Sequence, residues 1–426
     1  MSALVSPQRT PNAELRDQLL MWLAIAAVGL INISISASQA TCALGIVLLL
    51  IFRRKLEFPR IWIPIVGFFL WTVLSTALCP DPVGGLPLIR KFLDFLFIPL
   101  VYGAFSRRFD RIYLLVIAWT ATATASGLLG MVQYASKYEH AKLAGVNFYL
   151  SYLPRRITGF QGHWLMFGAL QLGGLSLVLA HYFFAARRMP GWAYGSVTVF
   201  LTAILLSWDR SIWLAAVPVC VYLIWFWRPR IIFIVPLAAV LIFAASPAST
   251  KARVESIVSP HGDIDSNRFR IVVYKTGIQI VKAHPWFGVG PGQIRRQFDS
   301  YVPTDIERPL PPGFYGHLHN FYIQYAAESG IPSLIFVLWF IGWAMWDCLK
   351  GISRAGRARS DLLFMLHGAM AVTIGILVGG LFEHNLGDSE VLMMFVSVLA
   401  LEYAALRNLW LQADKHRTEL RASRIT

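Results

Sequence analysis

The sequence predicts an all-α integral membrane protein, a single polytopic domain over residues 1–426 with about twelve transmembrane helices. Three observations support this prediction. Of the 426 residues, 56% are hydrophobic and 14% are charged, and the mean hydropathy of +0.56 is too high for a soluble domain. The apolar runs are long enough to cross a bilayer, which takes about 20 residues each. Basic residues recur in alternate connections between these runs.

The predicted spans follow one another along the chain. They are centred near residues 27, 44, 69, 97, 122, 173, 200, 218, 238, 333, 372 and 398. The first two are separated by Asn32 and by three serines, Ser34, Ser36 and Ser38, so we expect a tight hairpin there. The sequence contains no internal repeat and no Ser/Gly linker, which favours one membrane domain.

The basic residues predict the orientation of the chain. Clusters such as Arg107-Arg108 and Arg187-Arg188 fall in alternate connections, and more basic residues follow in the C-terminal tail. Because positively charged connections face the cytoplasm, both termini are predicted to be cytoplasmic. Two outward insertions then follow, a smaller one at residues 137–162 and a long loop at 246–317, between spans nine and ten. The net charge of +15 is largely this topological signal, so nucleic-acid binding is not predicted.

The long loop is predicted to be partly helical. Apolar residues recur at helical spacing over residues 266–283, with Asp265 or Ser266 as the N-cap, and a second short helix is expected over 293–301. The glycine-rich stretch 288–292 predicts a turn-rich crossing, and it lacks the flanking strand and lysine of a nucleotide-binding loop. Residues 303–313 contain three further prolines after Pro303 and cannot be helical.

Two histidines, His317 and His319, stand immediately before the tenth predicted span. The positive end of the helix dipole disfavours an imidazolium at His319, which leaves the ring neutral and able to accept a proton. Asn320, Gln324 and Glu328 recur every four residues, so they share one face of the helix. That face either borders a wet cavity or forms a structural stripe of hydrogen bonds between helices.

Arginines lie on the same predicted side of the membrane. Arg210 stands in a turn between two spans, where Asp209 could neutralise it, and Arg270 lies on the predicted loop helix beside Arg268. Guanidinium is suited to a diphosphate because its fork of donors matches phosphate oxygens and it keeps its charge. Two arginine pairs fit contact with phospholipid headgroups better than catalysis: Arg155-Arg156 and Arg295-Arg296.

Other polar groups carry weaker signals. The spacing of His261, Asp263 and Asp265 resembles a divalent-metal site, but such spacing is common in a polar loop and Asp265 can serve as a helix cap, so no metal is predicted. The polar turn 383–390 places His384 on the same side as His319. This turn is either an ordinary connector or the wall of a cavity opposite His319.

At these residues the chain resembles the O-antigen ligase and polymerase superfamily of bacterial membrane glycosyltransferases. The ligase pattern is His, then Asn, Ser or Gln, nine residues, Gly, two residues, then Gly, Thr or Tyr. Here His319-Asn320 is followed by Gly330, with Ser333 in the last place. Four other elements match in the same order, over residues 155–400: Gly159-Phe160 with His163, Ser207 to Arg210, Arg270 with Tyr274, and Asn385 to Asp388.

The resemblance implies an O-antigen ligase, which transfers glycan from undecaprenyl diphosphate to the lipid A core at the periplasmic face of the bacterial inner membrane. It implies that His319 is catalytic and that Arg210 and Arg270 bind the diphosphate, in a metal-independent inverting displacement without a cofactor. Supporting roles are expected for seven residues: Arg156, His163, Arg268, His317, Asn320, Glu328 and His384.

Alternatives remain open at this stage. An O-antigen polymerase or a protein O-oligosaccharyltransferase of the same superfamily would use the same donor with another acceptor. A twelve-span transporter belongs to a different class, but its ionisable groups would be expected near mid-membrane rather than at the outer lip. A non-enzymatic scaffold gives no reason for arginines beside His319. The His319-Asn320 element favours the ligase.

Overall fold

The computed structural model describes residues 11–53, 55–259, 267–356 and 358–422, and these contain helices and no strand. The helices of this described part are α1 (Pro11–Leu30), α2 (Ile35–Ile51), α3 (Trp62–Leu78), α4 (Pro82–Arg90), α5 (Phe97–Phe105), α6 (Ile112–Leu143), α7 (Phe148–Tyr152), α8 (Trp164–Phe184), α9 (Gly191–Leu206), α10 (Arg210–Trp227), α11 (Ile234–Ala245), α12 (Ala248–Glu255), α13 (Asn267–Ala283), α14 (Ile294–Gln297), α15 (Phe321–Ala355), α16 (Asp361–Gly379) and α17 (Ser389–Ala422). The all-α prediction is confirmed for these residues.

The twelve predicted span centres all fall in helical segments. Within the described residues, six helical segments are long and apolar enough to cross a membrane: Phe109–Leu143, Trp164–Phe184, Arg210–Trp227, Phe321–Ala355, Asp361–Gly379 and Ser389–Asp414. Shorter apolar segments lie at Ile35–Ile51, Trp62–Leu78, Gly191–Leu206 and Pro229–Ala245. This composition is that of a multi-pass membrane protein.

The fourth predicted span is not one continuous α-helix. A 3₁₀ turn at Lys91–Leu96 separates α4 from α5. Pro99 lacks an N–H group and cannot donate to the carbonyl of Phe95, which lies in this turn. The turn begins at Lys91, which donates to the carbonyl oxygen of Gly387 and lines a cavity together with His317 of the long loop.

Alternate connections meet at one end of the bundle. Glu57 pairs with Arg107 at 2.7 Å and also with Arg407, and Arg187 donates to the carbonyl oxygen of Asp110 at 3.2 Å. These residues belong to the basic connections and the C-terminal helix that were predicted to share one side. The predicted hairpin is confirmed as well, since α1 and α2 pack together across the turn at 31–34. We call the opposite end, which carries the described residues of the long loop, the loop end.

The long loop is helical where the sequence predicts it. Helix α13 covers the described residues of the predicted segment 266–283, and α14 with a 3₁₀ turn covers most of 293–301. Residues 303–313 contain no helix, and Gly288, Gly290 and Gly292 all have positive φ. Helix α12 was not predicted. The candidate cap and metal residues Asp265, Ser266, His261 and Asp263 lie outside the described residues.

Helix α15 is interrupted at Gly330, where φ is 82° and ψ is 168°. The loop crosses α15 at this break: Val289 N donates to Ala327 O and Gly290 N to Glu328 O, both at 2.9 Å, and Ile331 N donates to Pro285 O at 2.8 Å. A Cβ atom at Gly330 would lie 1.8 Å from the carbonyl oxygen of Trp286. The loop therefore fits against α15 only with glycine here.

Candidate active site

The backbone around His319 is fixed by two neighbouring elements. His319 has a φ of 47°, which is uncommon for a residue other than glycine, and Asn320 caps α15 by accepting from Ile323 N at 3.0 Å. The Asn320 amide donates to Leu381 O at 2.9 Å, and Tyr274 on α13 donates to His319 O at 3.1 Å. Helix α13 and the turn after α16 thus hold His319 at the lip of α15.

Glu383 joins His319 to Arg270. Its Oε2 lies 2.9 Å from His319 Nδ1, and its Oε1 accepts from Arg270 Nη2. Because an ionised carboxylate can only accept, we infer that Nδ1 carries the imidazole proton and that Nε2 holds the lone pair. Nε2 is buried and contacts no hydrogen-bond partner among the described residues. The arrangement leaves Nε2 as the proton-accepting nitrogen of the ring.

Glu383 is only 6% exposed, yet it remains ionised. Burial by itself would raise its pKa, but the Arg270 guanidinium and then His319 outweigh this effect and lower the pKa to about 2. A permanent negative charge beside His319 favours the protonated ring once the ring has taken up a proton. The pair can therefore act as a general base.

Four arginines line one cavity of about 680 Å³, which also borders His319 and Glu383. We call it the arginine cavity; its arginines are Arg156, Arg210, Arg253 and Arg270. The structure therefore brings the predicted residues His319, Arg210 and Arg270 together at the loop end. Clustered guanidinium groups of this kind suit a diphosphate.

The arginines are held in place by neighbouring groups. Arg210 Nη2 donates to Asn267 Oδ1 at 2.7 Å, and Arg210 Nη1 donates to the Ser256 carbonyl oxygen at 2.7 Å. The Arg253 side chain is almost fully buried, and its Nε donates to Trp208 O at 3.2 Å. Arg156 lies 4.5 Å from the centre of the Trp164 ring. Such contacts reduce the freedom that the side chains would lose when a ligand binds.

A second cavity, of about 530 Å³, is also lined by His319. We call it the carboxylate cavity because Glu328 and Asp388 line it, together with Lys91, His317 and His384. The two cavities share six lining residues: His163, Leu165, Asp209, Phe314, His319 and Glu383. His319 and Glu383 thus border both spaces.

The predicted histidines lie at the boundary or in the carboxylate cavity. His163 caps α8 by accepting from Leu165 N at 3.3 Å. The His317 ring centre lies 4.1 Å from that of His319, and burial lowers the pKa of His317 to about 4, so it is neutral at physiological pH. His384 lies 6.3 Å from His317 between ring centres, and its Nδ1 contacts no partner among the described residues.

Other predicted residues have mainly structural contacts. Glu328 Oε1 accepts from Gly292 N at 2.9 Å, and Gln324 Oε1 accepts from Leu318 N at 2.7 Å, so the polar face of α15 supports the loop. Asp209 caps α10, accepting from Ser211 N at 3.0 Å. Arg268 pairs with Glu307 at 3.0 Å on the protein surface and lines neither cavity.

Sequence reasoning missed Glu383, Lys91 and Asp388 as site residues. The polar turn 383–390 was the signal for Glu383 and Asp388, but only packing distinguishes a cavity wall from an ordinary connector. Lys91 had no local signal. Within the described residues, no group of three or more His, Cys, Asp or Glu side chains could hold a metal ion.

The comparison with known families agrees with this geometry. The family model described as O-antigen ligase matches residues 195–338, a segment that includes Arg210, Arg270, His319 and Gly330. No curated protein matches the chain. Residues 195–338 are thus similar to the O-antigen ligase family, and this match supports the O-antigen ligase superfamily.

Proposed function

We propose that the protein is an O-antigen ligase that moves glycan from undecaprenyl diphosphate to the lipid A core oligosaccharide. In this proposal the chain crosses the bacterial inner membrane twelve times, both termini are cytoplasmic, and the loop end faces the periplasm. One observation carries the proposal. His319, whose Nε2 has no hydrogen-bond partner among the described residues, lines both the cavity with four arginines and a second cavity that can hold an acceptor.

The reaction follows from the placement of these groups. His319 Nε2 takes the proton from an acceptor hydroxyl, and the resulting oxygen nucleophile attacks the anomeric carbon of the donor glycan. The bond from that carbon to the diphosphate oxygen breaks, and its electron pair leaves with the lipid diphosphate. Arg210 and Arg270 stabilise the negative charge of the leaving group. A single displacement inverts the anomeric configuration.

Glu383 is a positioning residue in this mechanism. It fixes the tautomer of His319 and stabilises the imidazolium that forms during proton transfer, while its other oxygen holds Arg270. The base and one cation of the diphosphate site are thereby kept at a set separation. Transfer requires both groups to act on the same donor molecule, so this coupling favours the productive geometry.

An O-antigen polymerase or a protein O-oligosaccharyltransferase would use the same two cavities with a different acceptor. The ligase is preferred because the family model that matches the chain is that of the ligase and because the chain has the His319-Asn320 element followed by Gly330. The acceptor identity is decided by experiment. The cell-based test below separates the alternatives by their products.

The test uses His319→Ala in cells that make lipopolysaccharide and depend on this protein for it. We expect the long glycan ladder to disappear and lipid-linked polymer to accumulate. His140→Ala is a matched control, since His140 is exposed on α6 and lines neither cavity. An unchanged ladder in the His319 variant, at normal protein level, contradicts the proposal. Products that carry a single repeat indicate a polymerase instead.

A further inference from the structure

The two cavities beside His319 carry opposite charge. The described residues that line the arginine cavity comprise four arginines and two carboxylates, Asp209 and Glu383. Both carboxylates also border the carboxylate cavity, where Glu328 and Asp388 join them and Lys91 is the one lysine or arginine among the described lining residues. The two cavities thus differ in the charged side chains that line them. Each cavity therefore favours a different class of ligand.

Lys91 does not make the carboxylate cavity a site for anions. Its ammonium group donates to the carbonyl oxygen of Gly387, and its positive charge attracts the carboxyl groups of Glu328 and Asp388. The nearby histidines add no positive charge. Burial lowers the pKa of His317 to about 4 and that of His384 well below its usual value. A phosphate or carboxylate group placed here would face Glu383, Glu328 and Asp388, with one lysine in place of the four arginines of the other cavity.

The same walls suit hydroxyl groups. Carboxylate oxygens accept hydrogen bonds from hydroxyls, and a neutral imidazole offers one donor and one acceptor. His384 Nδ1 is buried without a partner among the described residues, and so is His319 Nε2. The side chain of Asp388 is half-buried at the cavity wall. The volume of about 530 Å³ is that of a small-molecule site, for which the usual range is about 300–1,000 Å³.

We infer that the carboxylate cavity holds the acceptor sugar and selects a sugar that carries no phosphate or carboxylate group. This inference depends on the proposed transferase function. The acceptor hydroxyl reaches His319 from one side while the diphosphate leaves through the arginine cavity on the other. In-line displacement requires the nucleophile and the leaving group to lie on opposite sides of the anomeric carbon. The two cavities meet at His319 and Glu383, and each is lined elsewhere by residues of its own.

The experiment measures transfer by the purified full-length protein in nanodiscs, with a lipid-linked glycan donor. Two acceptors are compared, a core oligosaccharide lipid with a neutral receiving sugar and the same lipid with a phosphate on that sugar. We expect the wild-type protein to prefer the neutral acceptor by about tenfold or more in kcat/KM. At a pH above 7, where Asp388 is ionised, the Asp388→Asn variant removes one wall charge and keeps the side-chain size. It should narrow that preference and raise the KM of the neutral acceptor, while the KM of the donor stays unchanged.

Two further variants make the result decisive. Asp299→Asn is the matched control, because Asp299 is 77% exposed and pairs with Arg308 away from both cavities. Glu328→Gln replaces Asp388→Asn if the latter fails to fold, since glutamine Oε1 can still accept from Gly292 N. Equal use of both acceptors by the wild-type protein overturns the inference, and so does a change in donor KM in place of acceptor KM. Absence of transfer to either acceptor would instead overturn the proposed function.

Discussion

Replacing Glu383 with glutamine tests the coupling between His319 and Arg270. The substitution keeps the shape of the side chain but replaces one accepting oxygen with an amide group that only donates. In the wild-type protein both carboxylate oxygens accept, one from His319 Nδ1 and one from Arg270 Nη2. A glutamine amide turns its NH₂ group toward either His319 or Arg270. One of the two hydrogen bonds is lost in each orientation.

The size of the effect follows from the electrostatics of Glu383. Arg270 and His319 overcome the opposing effect of burial and lower the pKa from 4.5 to about 2, which corresponds to roughly 3 kcal/mol in favour of the ionised form. With the NH₂ group toward His319, the ring keeps its proton on Nε2 and cannot accept one there. We therefore expect kcat to fall by roughly 10²-fold or more, since a positioned general base contributes about 10²–10⁴-fold.

Stability should change in a defined pH range. The folded-state pKa of Glu383 lies below its usual value, so the carboxylate stabilises the fold above about pH 4.5. That contribution is lost as the pH falls through the folded-state pKa of about 2. The melting temperature of Glu383→Gln should therefore lie below that of the wild-type protein at pH 7. The difference should shrink as the pH is lowered from 4.5 toward 2.

The assay combines single-turnover transfer with thermal unfolding in detergent. Glu307→Gln is the control, because Glu307 is 86% exposed, pairs with Arg268 on the surface and lines neither cavity. The control should transfer glycan at the wild-type rate. A folded Glu383→Gln protein with a wild-type kcat would refute the role of Glu383 in orienting His319. If the variant loses donor binding but keeps the wild-type kcat, Glu383 positions Arg270 and has no role in orienting His319.

Three further outcomes are expected. Gly330→Ala should lower the free energy of unfolding by about 2 kcal/mol or more, because the added Cβ would clash with Trp286 O. Gly342→Ala is the control, since a Cβ there meets open space and should leave the free energy of unfolding unchanged. Thermal unfolding measures both variants. Transfer should continue with excess EDTA, because arginines stabilise the leaving group; a strict requirement for a divalent cation would contradict this. Burial, opposed by Lys91 and reinforced by Glu390 and Glu383, raises the pKa of Asp388 to about 7. Acceptor KM should therefore fall as the pH rises through 7, and Asp388→Asn should abolish that change.

Local patterns predicted the helical framework well. The period of apolar residues located α13 over its described length, and the polar break around Asn32 correctly indicated the hairpin. The resemblance brought together Arg210, Arg270 and His319, and the structure places all three at one cavity. These features depend on short-range spacing or on a motif order that the chain preserves.

Long-range partners could not be read from the sequence. Glu383 lies 64 positions after His319 and 113 after Arg270, and only the packing of α13 against the turn after α16 makes it a shared acceptor. The break in α15 could not be predicted from the sequence for a similar reason. Gly330 and Pro332 lie in an apolar run, and the groups that bond to the interrupted helix come from residues 285–290.

The break at Gly330 connects the loop to the chemistry of His319. Between them lie the nine residues of the first part of α15, roughly 14 Å of helix. The loop backbone holds one end of this short helix through Val289 and Gly290, and Asn320 ties the other end to Leu381. The short helix is thus fixed at both ends before any substrate binds. A change in the loop at residues 285–290 should therefore displace His319 relative to Glu383 and reduce kcat, although no residue in that stretch lines either cavity.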